Sequence, residues 1–394
     1  MGLPSRFPLH ARHRDGPHRR DDRGEAAAEP RRSRRGSLAG LILAACCAAP
    51  AGAEALRVAT YNVEMNRKGP GLLLRDIVTG KDAQVEAAAA VIAAAAPDVL
   101  LLTGFDHDLD LVALTAFAGR IAEQGRDYPH RFALRPNTGW ATGIDLDGDG
   151  RTGGPGDAQG YGRFAGEGGM AVLSRLPLGE ATDYSDFLWR DLPGALIDGA
   201  ALSPEAAEVQ RLSSTGHWAV PVDLPGGGAL TLLAWHGAPP VFDGPEDRNG
   251  RRNHDEAAFW SRLLEGALPY PSPEGPLVLL GDANLDPVDG DGRAEALEAL
   301  LTGPRFQDPR PASAGGAAAQ GGANGGQAGD PALDTADWVD APGPGNLRVD
   351  YVLPSAALRV TAAGVWWPEP GSAAAALAEA ASRHRLVWVD LDLP

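Results

Sequence analysis

The chain of 394 residues has two cysteines, and they are neighbours, Cys46 and Cys47. None lies beyond Glu54, so a domain built from the remainder holds together without disulfides. No apolar run is long enough to span a bilayer; the N-terminal one, 38–49, is too short. Positive charge is scarce, with a formal net charge of −17 at pH 7. Residues 1–53 hold ten arginines and only five acids, so the chain beyond them is more acidic still. Such a field repels polyanions and excludes tight non-specific nucleic-acid binding without cations, although a local basic groove stays open. Acidity of this kind also simply confers solubility. Internal repeats are lacking, apart from two Asp/Gly-rich strings.

What is present begins with an unusual N-terminus. Residues 1–35 are arginine-rich with no apolar run, reading as disordered or as an over-extended gene start. Arg31-Arg32-Ser33-Arg34-Arg35, the apolar 38–49 and Ala51-Gly52-Ala53 then form a signal peptide over 36–53. Ser33-Arg34-Arg35-Gly36-Ser37-Leu38 resembles a twin-arginine signal. Leu43-Ala44-Ala45-Cys46 resembles a lipobox; either Cys46 is lipidated, or both cysteines leave with the signal. Export to the periplasm or beyond follows, with no transmembrane span in the mature chain.

The remainder, 54–394, reads as one domain. With 44% hydrophobic residues over the chain it can bury a large core. Residues 83–96 form a helix by propensity, stopped by Pro97. Residues 111–124 form a second, and 253–264 a third with Asn253 as N-cap. The tryptophans read as core or rim packing. The Ala/Gly/Gln-rich 311–329 has no apolar periodicity and reads as a flexible surface insertion near the site entrance.

The chemistry stands at the ends of apolar runs. Asn62 follows LRVAT, Asp282 and Asn284 end PLVLLGDAN, Asp350 sits in RVDYVL and His384 in SRHRLVWVDLDL. Such runs are strands, and polar residues at their ends lie on the rim of a sheet. Oxygens of this type suit a hard divalent cation, and a neighbouring His supplies acid–base function.

This ordered set, from TYNVEMN through Gly281-Asp282-Ala283-Asn284 and Arg348-Val349-Asp350-Tyr351 to Ser382-Arg383-His384, resembles the endonuclease/exonuclease/phosphatase superfamily. The strand ending LLAWH at His236 and the glycine-led GGMAVLS also match. The resemblance covers roughly 56–394. It implies a four-layer α/β sandwich, two packed mixed β-sheets flanked by helices. It implies metal-dependent hydrolysis of phosphate esters, with Mg²⁺ first and Mn²⁺ or Ca²⁺ as alternatives. His236, His384, Asp282 and Asn284 are then catalytic, and Asn62, Asp106 and Asp350 hold metal. The chain departs from the pattern twice. Thr103-Gly104 stands where the family carries Gln-Glu, leaving Asp106 or Asp108 to reach the metal. Arg383 stands where the family has an Asp, and an Arg there would bind substrate phosphate.

Arg248, within the Arg/Asn-rich stretch after His236, and Arg163 in GYGRF are further phosphate-binding candidates, with Glu167 a partner for His236. Asp145, Asp147 and Asp149 alternate as in a calcium loop, but Gly156 stands where a bidentate acid belongs, with Asp157 next. A solvated Asp/Gly turn is the other reading.

The expected function is exported phosphodiester hydrolysis, nucleic acid being one candidate substrate, by a chain acting without a stable partner. Phosphomonoester release is the alternative, as is a phosphate- or calcium-binding protein that lost catalysis. Action on lipid head groups fits export and acidity, but calls for an exposed apolar loop that the sequence does not reveal.

Overall fold

Strand β1 (Leu56–Met65) has no solvent face. Its even-numbered Leu56 and Val58 point into one apolar layer, its odd-numbered Tyr61, Val63 and Met65 into another. Strand β2 (Val99–Phe105) does the same, with Val99 and Leu101 on one side and Leu100 and Leu102 on the other. Near-continuous apolar runs of this kind belong to strands buried on both faces. The computed structural model, which describes residues 55–392, accounts for both layers.

Six strands form the first sheet. Their order is β12 (Arg359–Val365), β13 (Val387–Asp392), β1, β2, β4 (Gly169–Ser174) and β3 (His130–Phe132). The second has five, in the order β11 (Asp350–Pro354), β8 (Leu277–Asp282), β7 (Ala229–His236), β6 (Gly216–Asp223) and β5 (Thr182–Asp183). The β1–β2 and β7–β8 pairs are parallel and the others antiparallel, so both sheets are mixed. A separate two-stranded ribbon joins β9 (Ala336–Asp337) to β10 (Asn346–Leu347).

The sheets face each other across Val58, Leu101, Val172, Leu232, Leu280 and Val389. Helices α1 (Leu72–Thr79), α2 (Ala83–Ala95), α3 (Val112–Glu123) and α8 (Ala373–Ala381) cover the first sheet. On the second lie α5 (Arg248–Leu264) and α6 (Glu295–Thr302), beyond the short α4 (Pro204–Val209). This is the four-layer α/β sandwich that the motif order implied. Helix α2 starts where Asp82 accepts from the Val85 N–H and ends at Ala96, just before Pro97.

Two expectations change. Helix α5 begins at Arg248, five residues before 253, and Asn253 lies inside it rather than capping it. Its buried face carries Arg252, Asn253, Asp255 and Glu256, so the apolar period that marks a helix is absent from its first half. The 311–329 insertion is not bare coil. It includes α7 (Ala314–Ala318), and Gly315 donates its N–H to Trp367 O at 2.9 Å. A Cβ on Gly315 would lie 2.1 Å from the Trp367 ring, so glycine is what lets the segment dock. The signal-peptide features and Cys46 lie outside the described residues, and no helix among the described residues is long and apolar enough to cross a membrane.

Candidate active site

Sheet register builds the site. Strands β7 and β8 run side by side, which sets His236 opposite Asp282. Strand β11 runs against β8 and sets Asp350 on the other side of Asp282. Gly281 makes the close approach possible, since a Cβ there would lie 1.9 Å from Trp235 O. From the facing sheet, Asn62 donates through Nδ2 to Asp282 Oδ2 at 2.8 Å. His384, just before β13, places Nδ1 2.9 Å from Asp350 Oδ2 and 3.9 Å from Asp282 Oδ2. His236 Nε2 lies 3.4 Å from Asp282 Oδ2. Asn284 takes a left-handed backbone, φ 51°, which Asn tolerates well. Its N–H donates to Asp282 Oδ1 and its Nδ2 to Gly237 O. Six expected residues, Asn62, His236, Asp282, Asn284, Asp350 and His384, therefore meet.

Two carboxylates and an imidazole are buried together, which sets their protonation. Burial raises the Asp350 carboxyl; His384 opposes this and Asp282 adds to it, leaving it at about 6. Burial lowers the His384 imidazolium, but Asp350 and Asp282 outweigh it and hold the group near 9. For Asp282, burial is overcome by His384, His236 and Asn62, so its carboxyl titrates below the usual range. At neutral pH the cluster thus holds a proton on His384 between two carboxylates.

The other expected residues bind partners of their own. Asp106 accepts from the backbone N–H groups of Arg67 at 2.8 Å and Gly168 at 2.9 Å, so both its oxygens hold loops. Asp108 caps α3 through Val112 and Ala113. Arg163 binds Glu167, which therefore does not serve His236. Arg248 donates to Ala200 O and Leu146 O, and Arg252 to four backbone carbonyls, so these two arginines hold the fold rather than standing free for phosphate. Asp145, Asp147 and Asp149 do gather, with one oxygen from each inside a 4.8 Å cluster. Asp157, one past the expected twelfth position, accepts from the Leu146 and Gly154 N–H groups instead.

Each of the two departures from the family pattern has its own structural setting. Gly104 has φ 66°, and a Cβ on it would lie 2.3 Å from Asn62 Oδ1, so no larger side chain fits beside Asn62. Arg383 is bound by Glu64, through Nε at 2.8 Å, Nη2 and its own N–H. Glu64 carries the charge that answers Arg383. Burial raises its carboxyl, and Arg383 and His384 outweigh that, so it titrates below its ordinary value. The sequence offered one signal for Glu64, an acid two residues beyond Asn62, although a left-handed backbone at Glu64, φ 47°, breaks the regular strand there.

Other contributors gave no such signal. Thr335 donates its hydroxyl to Asp350 Oδ2 at 2.9 Å while accepting from the Val349 and Asp350 N–H groups. Trp338 packs edge-on against His384 with ring centres 5.3 Å apart. Asn253 donates to Ala238 O and Ala283 O, tying α5 to the loops after β7 and β8.

The residues present fit a divalent cation. Donor atoms of Asp282, Asp350 and His384 all lie within 4.8 Å of one another. Asp350 Oδ1 is buried and has no hydrogen-bond partner, as a carboxylate oxygen awaiting a cation would be.

The chain is similar to several solved structures. A structure of an endonuclease/exonuclease/phosphatase from Beutenbergia cavernae is similar over 86% of this chain and 72% of that one, with 21% identity and a TM-score of 0.51. An endonuclease/exonuclease/phosphatase family protein from Leptotrichia buccalis shares 15% identity over 86% of this chain and 100% of its own, TM-score 0.48. A mannosyl-6-phosphatase from Bacteroides thetaiotaomicron shares 14% over 86% and 100%, TM-score 0.46. Among curated proteins none matches. Residues 59–384 match the model of the Endonuclease/Exonuclease/phosphatase family, a family of phosphoester hydrolases, and the chain belongs to it.

Proposed function

We propose that this protein is an exported, metal-dependent phosphoesterase that cleaves phosphodiesters, with 54–394 as its catalytic domain. The observation that carries the reading is the buried Asp282–Asp350–His384 cluster with one carboxylate oxygen left unpartnered. Asp282 and Asp350 would hold the cation, Mg²⁺ in this reading, which would supply Lewis-acid screening of the phosphate charge.

The chain's own residues supply the rest. Asp350 fixes the His384 ring through Nδ1, which leaves Nε2 to exchange a proton with the attacking water. Asn62 and the Asn284 N–H hold the Asp282 carboxylate in place. His236, on the far side of Asp282, is positioned to give a proton to the leaving oxygen. With the Asp282 and Asp350 charges answered by a cation, the proton they hold on His384 would be released, leaving Nε2 free to act as a base. The water oxygen would then bond to phosphorus as its proton passes to His384, and the P–O bond to the leaving group would break as that oxygen takes a proton from His236. Of the three arginines, Arg383 adjoins the cluster and keeps a 61% exposed side chain, which suits it to a phosphate oxygen.

The test is hydrolysis of bis(p-nitrophenyl) phosphate and p-nitrophenyl phosphate with EDTA, Mg²⁺, Mn²⁺ or Ca²⁺. Diester turnover that needs a metal supports the proposal, and preference for the monoester shifts it to a phosphomonoesterase. No turnover with any metal makes Gly104 and Arg383 marks of a binding protein that lost catalysis.

A further inference from the structure

The strand directions divide the connections into two groups. Strands β1, β2, β7 and β8 run towards the Asn62–Asp282 contact, and β4 and β11 start from that end. Loops 106–111, 133–168, 237–247, 283–294 and 338–345 leave the sheets there. Each carries an exposed large apolar side chain, namely Leu109, Tyr161, Phe242, Val288 and Val339. Connections at the opposite end, 96–98, 124–129, 175–181, 224–228, 265–276 and 355–358, carry none. Scattered exposed apolar residues need no explanation, but confinement of loop-borne ones to one end does.

Four of the loops are tied in a chain that forms a collar, and the segment following the fifth, 338–345, is tied to it. His107 N–H donates to Gly166 O, Arg248 to Leu146 O, Arg293 to Asp247 Oδ2 and the Arg348 N–H to Asp286 Oδ2. The two most exposed tips are themselves braced. Leu109 and Phe242 are each 90% exposed. Asp108, beside Leu109, caps α3 with both oxygens. Phe242 has φ 70°, a costly backbone for an aromatic, and Asn249 pins both its flanks by donating to Val241 O and Asp243 Oδ2. A bulky apolar ring held rigidly in water by strained backbone points to a partner for it.

Building on the phosphoesterase reading, we propose that this collar docks the protein on a zwitterionic phospholipid surface and that its substrate is a phosphodiester lipid at that surface. Five separate tips do not form the continuous patch that a protein interface requires, but single tips suffice to dip between head groups. Asp108, Asp110, Asp243, Asp289 and Asp340 beside these tips, in a chain of net charge −17, oppose an anionic membrane and complement outward-facing choline cations. Hydrolysis adds water to phosphorus, breaks one ester P–O bond and protonates the leaving alkoxide, so no further reactant is needed.

The experiment compares the full chain with its Leu109→Ser/Phe242→Asn variant, Asn being chosen because it tolerates the left-handed backbone. Three readouts are taken: co-sedimentation with phosphatidylcholine vesicles, consumption of the phosphatidylcholine, and hydrolysis of soluble bis(p-nitrophenyl) phosphate. The expected result is at least a tenfold loss of vesicle binding and lipid turnover in the variant, with soluble hydrolysis unchanged. Equal binding by both proteins overturns the proposal, as does absence of binding by the parent, or tighter binding when phosphatidylserine is added. If neither protein cleaves the soluble diester, the phosphoesterase reading fails. Vesicle binding that still depends on Leu109 and Phe242 then upholds the docking surface alone.

Discussion

The two ends of the sandwich handle buried charge in opposite ways. At the far end Asp98 is saturated: Oδ1 accepts from Arg126 at 2.8 Å and Arg175 at 2.6 Å, and Oδ2 from the Arg57 N–H at 2.9 Å. Arg57 in turn binds Asp390. At the site end Asp282 and Asp350 are neighbours of like charge, and Asp350 Oδ1 and His236 Nδ1 are buried without partners. One end spends its charges on closing the fold. The other keeps charge unsatisfied, which costs stability and leaves ligating and proton-transfer groups available.

The comparison can be broken at either end. The largest expected effect is at the site, where His384→Ala lowers diester hydrolysis by roughly 10²–10⁴-fold, the usual weight of an acid–base residue, as read in initial rates. Asp98→Ala should do the reverse, lowering stability by about 1.5–3 kcal/mol in urea unfolding while leaving kcat unchanged. A fall in kcat without a loss of stability would show that the ends are not separate in function.

Restoring the absent acid sharpens the contrast. Gly104→Glu puts a side chain where Asn62 Oδ1 stands and forces a left-handed backbone that costs about 1–2 kcal/mol. The expected outcome is a lower unfolding midpoint and a slower enzyme rather than a better metal site. A rise in activity would contradict this.

The His384 group titrates above its unfolded value, near 9. Its contribution to stability is therefore whole below the unfolded pKa of roughly 6.5 and is lost as pH rises through about 9. Thermal unfolding of the parent should weaken over that window, and that of His384→Gln should weaken less. The smallest effect is expected for Arg248→Gln, with kcat/KM within about twofold of the parent, since its guanidinium holds backbone carbonyls.

The same contrast explains how much was legible in the sequence. Asn62, Asp282, Asp350 and His384 each adjoin an apolar run, which placed them on a sheet rim, while the family resemblance added His236 and the roles of all five. The four layers followed from the family resemblance that those residues carry. What periodicity cannot show is a polar residue working inside an element or a loop. The start of α5 was hidden because its buried face is Arg, Asn, Asp and Glu, whose partners are carbonyls and N–H groups remote in sequence. Thr335 and Trp338 come from a loop with no period, and reach the site because 335–337 pairs with 383–385. Asp106 looked like a metal ligand because its spacing from the strand was right. Spacing does not reveal that its two oxygens accept from the backbone N–H groups of Arg67 and Gly168 and so tie loops together.

The most direct test is Asp350→Asn, measured side by side with the parent for bis(p-nitrophenyl) phosphate turnover and thermal unfolding midpoint. Asn keeps the shape but removes a buried charge that faces Asp282. The account predicts turnover lost by at least about a hundredfold with the midpoint equal to or above the parent's. Turnover within about twofold of the parent would contradict it, because the unsatisfied charge would then have no part in the chemistry.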